Sequence, residues 1–170
     1  LSDLLGLMEF AHMRWLLAAL ALVGGPLVAT AAEDPSETTA SATRACLAAV
    51  IDGAPVDDMA IDGVRVSRSK DPNACTVQVE VGEPAALRRA ALAAVNSRRE
   101  LFGPAKTQWE PGAFASRETF CNLPGRRALN VIVSTSMPGA ARKLSLTVLE
   151  ARERDVRCDR DQGLQKPSAN

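Results

Sequence analysis

The sequence predicts an α+β domain with two helices packed on a mainly antiparallel sheet of about five to six strands, stapled by two disulfides. Three observations carry this. Two segments have a helical apolar period, several short segments alternate apolar and polar residues around turn chemistry, and four cysteines stand in what reads as an exported chain. Helices segregated from hairpin-linked strands favour a two-layer architecture over a parallel, doubly wound one.

Export is read from the N-terminal region. Met13-Arg14 supplies a short positive start, Trp15 to Val23 is an unbroken apolar run, and Gly24-Gly25-Pro26 interrupts it. Ala29-Thr30-Ala31 then fits a small-x-small cleavage box, so residues 13–31 read as a secretory signal peptide cut after Ala31. The apolar run is too short for a spanning helix, and no cysteine follows the box to carry a lipid. A periplasmic or secreted protein with no stable membrane anchor after cleavage is therefore expected. Leu1 is not an initiator Met, and residues 1–12 read as possible upstream read-through.

Residues 32–40 (AEDPSETTA) are polar and aperiodic, and predict a flexible leader before a single domain over 41–158. Ala42 to Ile51 predicts the first helix, with Gly53 placed to cap it. Gly63 to Ser69 and Ala74 to Val81 alternate Val64, Val66, Cys75, Val77 and Val79 with polar residues. Asp71-Pro72-Asn73 between them predicts a hairpin turn, across which Arg65 can meet Glu80. Pro84 to Leu101 reads as the second helix, with Phe102 closing its apolar end and Gly103-Pro104 stopping it.

Lys106 to Glu110 is a short strand candidate, Ala113 to Cys121 another, and Asn122 to Gly125 a loop. Ala128 to Ser134 and Lys143 to Ala151 are strands joined across Met137-Pro138-Gly139. Residues 152–157 continue the last strand toward Cys158, and 159–170 read as a disordered tail. Each half runs helix, strands, cysteine, a hint of duplication without residue-level identity.

Cys46, Cys75, Cys121 and Cys158 are spaced unlike a CxxC redox or zinc motif, and an even count in an exported chain reads as two disulfides. Three pairings are open. Cys46–Cys75 with Cys121–Cys158 is favoured because each bridge then closes one half of the chain.

Chemistry is constrained by what is scarce. His12 is the only histidine and lies ahead of the cleavage box. The remaining chain has no imidazole for a Ser-His-Asp or Cys-His site, nor for a metal. Lys plus Arg equals Asp plus Glu at 20 each, and no aromatics interleave the basic residues Arg88, Arg89, Arg98 and Arg99. That argues against nucleic acid as a partner and leaves those arginines as a solvated helix face or an anionic-partner surface. Asp57, Asp58 and Asp62 cluster without EF-hand spacing. No catalytic residue, metal ligand or cofactor is predicted.

The segment Trp109–Arg127 (WEPGAFASRETFCNLPGRR) concentrates aromatic residues beside a cysteine and ends in Arg126-Arg127. A disulfide at Cys121 would hold one end of a Pro-stiffened loop, and Trp and Arg are frequent binding anchors. Trp109, Arg126 and Arg127 are therefore the candidate binding residues, for a protein or envelope component. The plainer reading places the aromatics in the core and the arginines on a solvated turn. Two alternatives stand beside a non-enzymatic binding role. The Cys121–Arg127 loop can act as a protease-inhibitor loop, with Arg126 or Arg127 entering an acidic specificity pocket. Glu110 and Glu118 can serve as the carboxylate pair of a small hydrolase. Residues 127–131 (RALNV) resemble a stretch of small bacterial inhibitors built like potato inhibitor I, a match of five residues from which nothing is carried over.

Overall fold

The computed structural model describes residues 34–105, 112–123, 127–161 and 163. Along the chain lie α1 (Pro35–Ile51), β1 (Met59–Ile61), β2 (Val64–Ser69), β3 (Asn73–Val79), α2 (Pro84–Asn96), β4 (Phe102–Pro104), β5 (Phe114–Asn122), β6 (Leu129–Ser136), β7 (Leu144–Glu150) and α3 (Val156–Asp161). Among the described residues, seven strands form one antiparallel sheet in the order β1-β2-β3-β7-β6-β5-β4. α1 packs on β2, β3 and β7, and α2 beside it on β6 and β7. The α+β architecture is as the sequence predicts, and the sheet exceeds the expected five to six strands. Each main helix leads into an antiparallel run of strands, and the two runs meet where β3 pairs with β7.

α1 starts at Pro35, which corrects the expectation of a flexible leader through residue 40. Asp34 accepts a hydrogen bond from the Ser36 amide at 2.9 Å, and Pro35 occupies the first helical turn, where its missing N–H costs nothing. Thr39 is buried and its hydroxyl donates to the Pro35 carbonyl at 2.6 Å. α2 repeats the device: Pro84 follows Glu83, whose carboxylate accepts from the Ala85 and Ala86 amides at 3.0 and 2.7 Å. It ends at Asn96, not Leu101. Beyond it the bonds tighten to i→i−3, as in Arg98 N–H to Val95 O at 3.0 Å, and Phe102 crosses into the sheet opposite Asn122.

Alternation decides which face is dry. Val64 and Val66, Cys75, Val77 and Val79, Leu144, Leu146 and Val148, and Leu129, Val131 and Val133 all turn toward the helices. Leu47 and Val50 of α1 and Leu87, Ala91 and Val95 of α2 meet them. The registers Val66↔Val77, Val77↔Leu146 and Leu146↔Val133 run one apolar row across four strands. Arg65 lies opposite Gln78, and Glu80 falls beyond the end of β3, so the expected Arg65–Glu80 pairing is replaced by this register.

Both sheet edges are strands of three residues, and neither was anticipated. β1 turns into β2 through Asp62 (φ 45°) and Gly63 (φ 77°), the paired positive angles of a type I′ hairpin. A Cβ on Gly63 would lie 2.7 Å from Val81 Cγ1, so this turn excludes a side chain there. Short edges limit unwanted strand pairing, and Asp58 adds to this by accepting from the Arg68 amide at 2.6 Å, where β2 outruns β1.

Residues 152–157 do not extend β7. The chain turns after Glu150, Asp155 accepts from the Arg157 amide at 2.8 Å, and α3 forms over 156–161, including the first residues of the expected tail. The bridges join Cys46 to Cys75 and Cys121 to Cys158, the favoured pairing. Disulfides suggest an oxidising, extracytoplasmic location. Among the described residues no helix is long and apolar enough to cross a membrane. Residues 1–12, the signal-peptide reading at 13–31, and the strand candidate Lys106 to Glu110 lie outside the described residues.

Candidate functional site

Of the three candidate binding residues, Trp109 and Arg126 lie outside the described residues, and Arg127 is half-buried against the end of α1. Its Nη1 donates to the Ile51 carbonyl at 2.6 Å and its Nη2 to the Val50 carbonyl at 2.8 Å. Nε and Nη2 also grip the Glu150 carboxylate at 2.8 and 2.7 Å. The last carbonyls of a helix lack intrahelical partners, and a cation there complements the helix dipole. Asn73 completes the arrangement, donating to Val50 O at 3.2 Å and Glu150 Oε2 at 2.7 Å. The bonds from Arg127 first, and from Asn73 next, outweigh burial and hold Glu150 down to a pKa of about 2. Arg127 thus ties the β5–β6 connection and β7 to the end of α1.

Both flanks of the connection between β5 and β6 are pinned. On one side Cys121 is bridged to Cys158, the Leu123 amide donates to Leu101 O at 2.7 Å, and Asn122 Nδ2 donates to the same oxygen at 3.1 Å. On the other side, Arg127 is held as above, and its carbonyl accepts from Arg154 Nη1 at 2.9 Å.

The structure describes one of the two carboxylates of the hydrolase alternative. Glu110 lies outside the described residues, and Glu118 is held by Arg88 of α2, with Nε at 2.6 Å. Arg98 is likewise committed, to Asp52 at 2.9 Å and Glu100 at 2.8 Å, whereas Arg89 and Arg99 are exposed. Asp58 serves the β2 edge and Asp62 the hairpin turn, and among the described residues no group of three or more His, Cys, Asp or Glu side chains is placed to hold a metal.

At the opposite end of β6 lies a groove of about 590 Å³, within the range of ligand sites. The start of α2 (Gly82, Glu83, Pro84) forms one wall, and the β6–β7 turn (Met137, Pro138, Gly139) the other, with Ala115 and Thr135 between them and Lys143 at the margin. Met137 is 55% exposed on this rim. Of the four polar side chains that line it, Glu83, Thr135 and Lys143 bond within the fold, and Ser136 is the fourth. Glu83 caps α2, and those amide bonds hold its carboxyl below the usual glutamate range. Thr135 Oγ1 lies 2.6 Å from Ser116 Oγ, and Lys143 Nζ donates to Ala140 O at 2.8 Å, leaving two of its three donors. Such a site suits apolar contact fixed by one cation, more than proton transfer.

Sequence reading placed Met137-Pro138-Gly139 in a turn and Pro84 at a helix start, without bringing them together. The local patterns were visible, but their adjacency depends on α2 crossing β6. No protein-family model, curated protein or solved structure matches the chain.

Proposed function

We propose that this is a small non-enzymatic binding or accessory protein of the bacterial-type cell envelope, periplasmic or secreted, that holds a segment of a protein or envelope component in the groove between α2 and the β6–β7 turn. The observation that carries the reading is the groove itself: apolar walls on a disulfide-stapled frame, with its acidic group used in helix capping and Lys143 left to orient a ligand. A rigid frame lowers the entropic cost of holding a partner. No cofactor, nucleic acid or membrane anchor belongs to this role. The test is crosslinking capture from the periplasmic and envelope fraction, using oxidised protein and two variants, Met137→Asp with Ala115→Trp to fill the groove, and Trp109→Ala with Arg126→Ala. A partner lost only by the folded groove variant supports the reading. One lost only by the second variant moves the binding surface to the Trp109–Arg126 region.

A second reading, inhibition of a trypsin-like protease, is favoured by the pinned flanks of the β5–β6 connection. Arg127 is engaged by Glu150 and two carbonyls, so this reading assigns the acidic pocket to Arg126. Inhibition across a panel of such proteases, lost in Arg126→Ala, would support it. Rapid cleavage after Arg126 without inhibition would remove it.

A further inference from the structure

The two disulfides sit in unlike surroundings. Cys46 and Cys75 are both 0% exposed and belong to the main core, with Leu47, Val50, Val77 and Val148 in the same cluster. Cys121 and Cys158 are 2% and 6% exposed, and among the described residues the buried apolar cluster around them contains Ala105 besides the bridge. Hydrogen bonds around α3 include Arg154 Nε to Asp159 at 2.6 Å, Arg154 Nη1 to Arg127 O at 2.9 Å, and Asp155 with Arg157, all part-buried or exposed. Val156, the first residue of this helix, is 65% exposed. Hydrophobic burial therefore joins α1 to β3 in addition to their bridge, whereas among the described residues α3 has little apolar burial beyond its own.

We propose that Cys121–Cys158 is a redox latch, whose reduction by a dithiol reductant releases the segment containing α3 while the helix-backed sheet stays folded. This is independent of the binding reading. A thiolate of the reductant attacks Sγ of Cys158, the more exposed residue of the pair. The S–S bond breaks, and Cys121 leaves as a thiolate that takes up a proton. The second thiol of the reductant then resolves the mixed disulfide, so the reductant ends as a disulfide and the protein holds two thiols. Release removes the tether between β5 and α3 and frees the Arg154 contact to the Arg127 carbonyl.

The test is a dithiothreitol titration of the oxidised protein, read by alkylation and mass spectrometry, far-UV circular dichroism and limited trypsin digestion. Cys121 and Cys158 are expected to be alkylated at a reductant concentration at least about tenfold below that needed for Cys46 and Cys75, with the circular dichroism retained and cleavage appearing after Arg154 or Arg157. Reduction of both bridges together with loss of structure overturns the proposal. So does prior reduction of Cys46–Cys75, or a C-terminal segment that stays protected after its bridge has opened. A Cys121→Ser, Cys158→Ser variant is expected to be folded and trypsin-sensitive at the same arginines, and a variant that does not fold also overturns it.

Discussion

Arg127 and Glu150 form a two-pronged ion pair, with Nε to Oε1 at 2.8 Å and Nη2 to Oε2 at 2.7 Å, directly beneath the carbonyl end of α1. An arginine that reads in sequence as half of an exposed Arg-Arg dipeptide is thereby a junction between a loop, a strand and a helix. Its side chain remains 40% exposed, so the pair is worth less than a fully buried one. Removing Arg127 nonetheless takes the side-chain donor from the Ile51 carbonyl and leaves Val50 O and Glu150 with only the bonds from Asn73. Arg127→Ala is expected to lower stability by about 1–3 kcal/mol, against less than about 0.5 for Arg65→Ala on the exposed part of β2, as measured by urea unfolding.

The same pair sets an acid limb. Glu150 has a folded-state pKa of about 2, below the ordinary value of 4.5. A depressed carboxylate stabilises the fold fully above its unfolded pKa and loses that contribution as pH falls from there toward the folded value. Stability is therefore expected to drop between pH 4.5 and about 2, and Glu150→Gln should flatten that part of the profile while lowering stability at neutral pH. Unfolding midpoints of parent and variant at pH 7, 4 and 3 check both points.

The hairpin between β1 and β2 depends on a missing side chain. At Gly63 a Cβ meets both Val81 methyl groups inside 3 Å, and φ is +77°. Gly63→Ala is expected to cost about 1–3 kcal/mol through strain and displacement of Val81, and Asp62→Gly, which relieves a positive φ, to cost far less. Thermal unfolding of the two variants separates them.

Core positions follow burial. Leu87 of α2 is fully buried against the sheet, and Leu87→Ala is expected to lower stability by about 2–5 kcal/mol. Val156→Ala, on the exposed side of α3, should change it by less than about 0.5 kcal/mol. Chemical denaturation of both variants tests the contrast.

Cys46–Cys75 closes a separation of 29 residues inside the core. Replacing both cysteines by Ala is expected to cost about 3–4 kcal/mol in loop entropy alone, before any packing loss, a large fraction of a typical small domain's net stability. The readout is the urea midpoint under oxidising conditions.

Most of the sheet was legible because its strands bury one face and carry that fact in alternation. Val64/Val66, Cys75/Val77/Val79 and Leu144/Leu146/Val148 announce both strand and facing. β1 and β4 were not legible as strands, since three edge residues are too few to show a period, although Asp62-Gly63 is a hairpin dipeptide that marked the first of them. Asp34-Pro35 is likewise a helix-start signal, but the polar residues after it show no apolar period to go with it. The groove was unreadable, because its walls come from segments about fifty residues apart.

By itself, then, the sequence determined the class of fold, the dry face of each long strand, the start of α2 at Pro84, and a favoured pairing of the four cysteines. These depend on neighbours in the chain or on a small set of cysteines. The β3–β7 pairing that joins the two halves, the docking of Arg127 on the end of α1, the unequal burial of the two bridges and the groove beside α2 were decided only by tertiary structure. Each requires residues distant in sequence to meet, and local periodicity carries no record of which distant surface a residue will face.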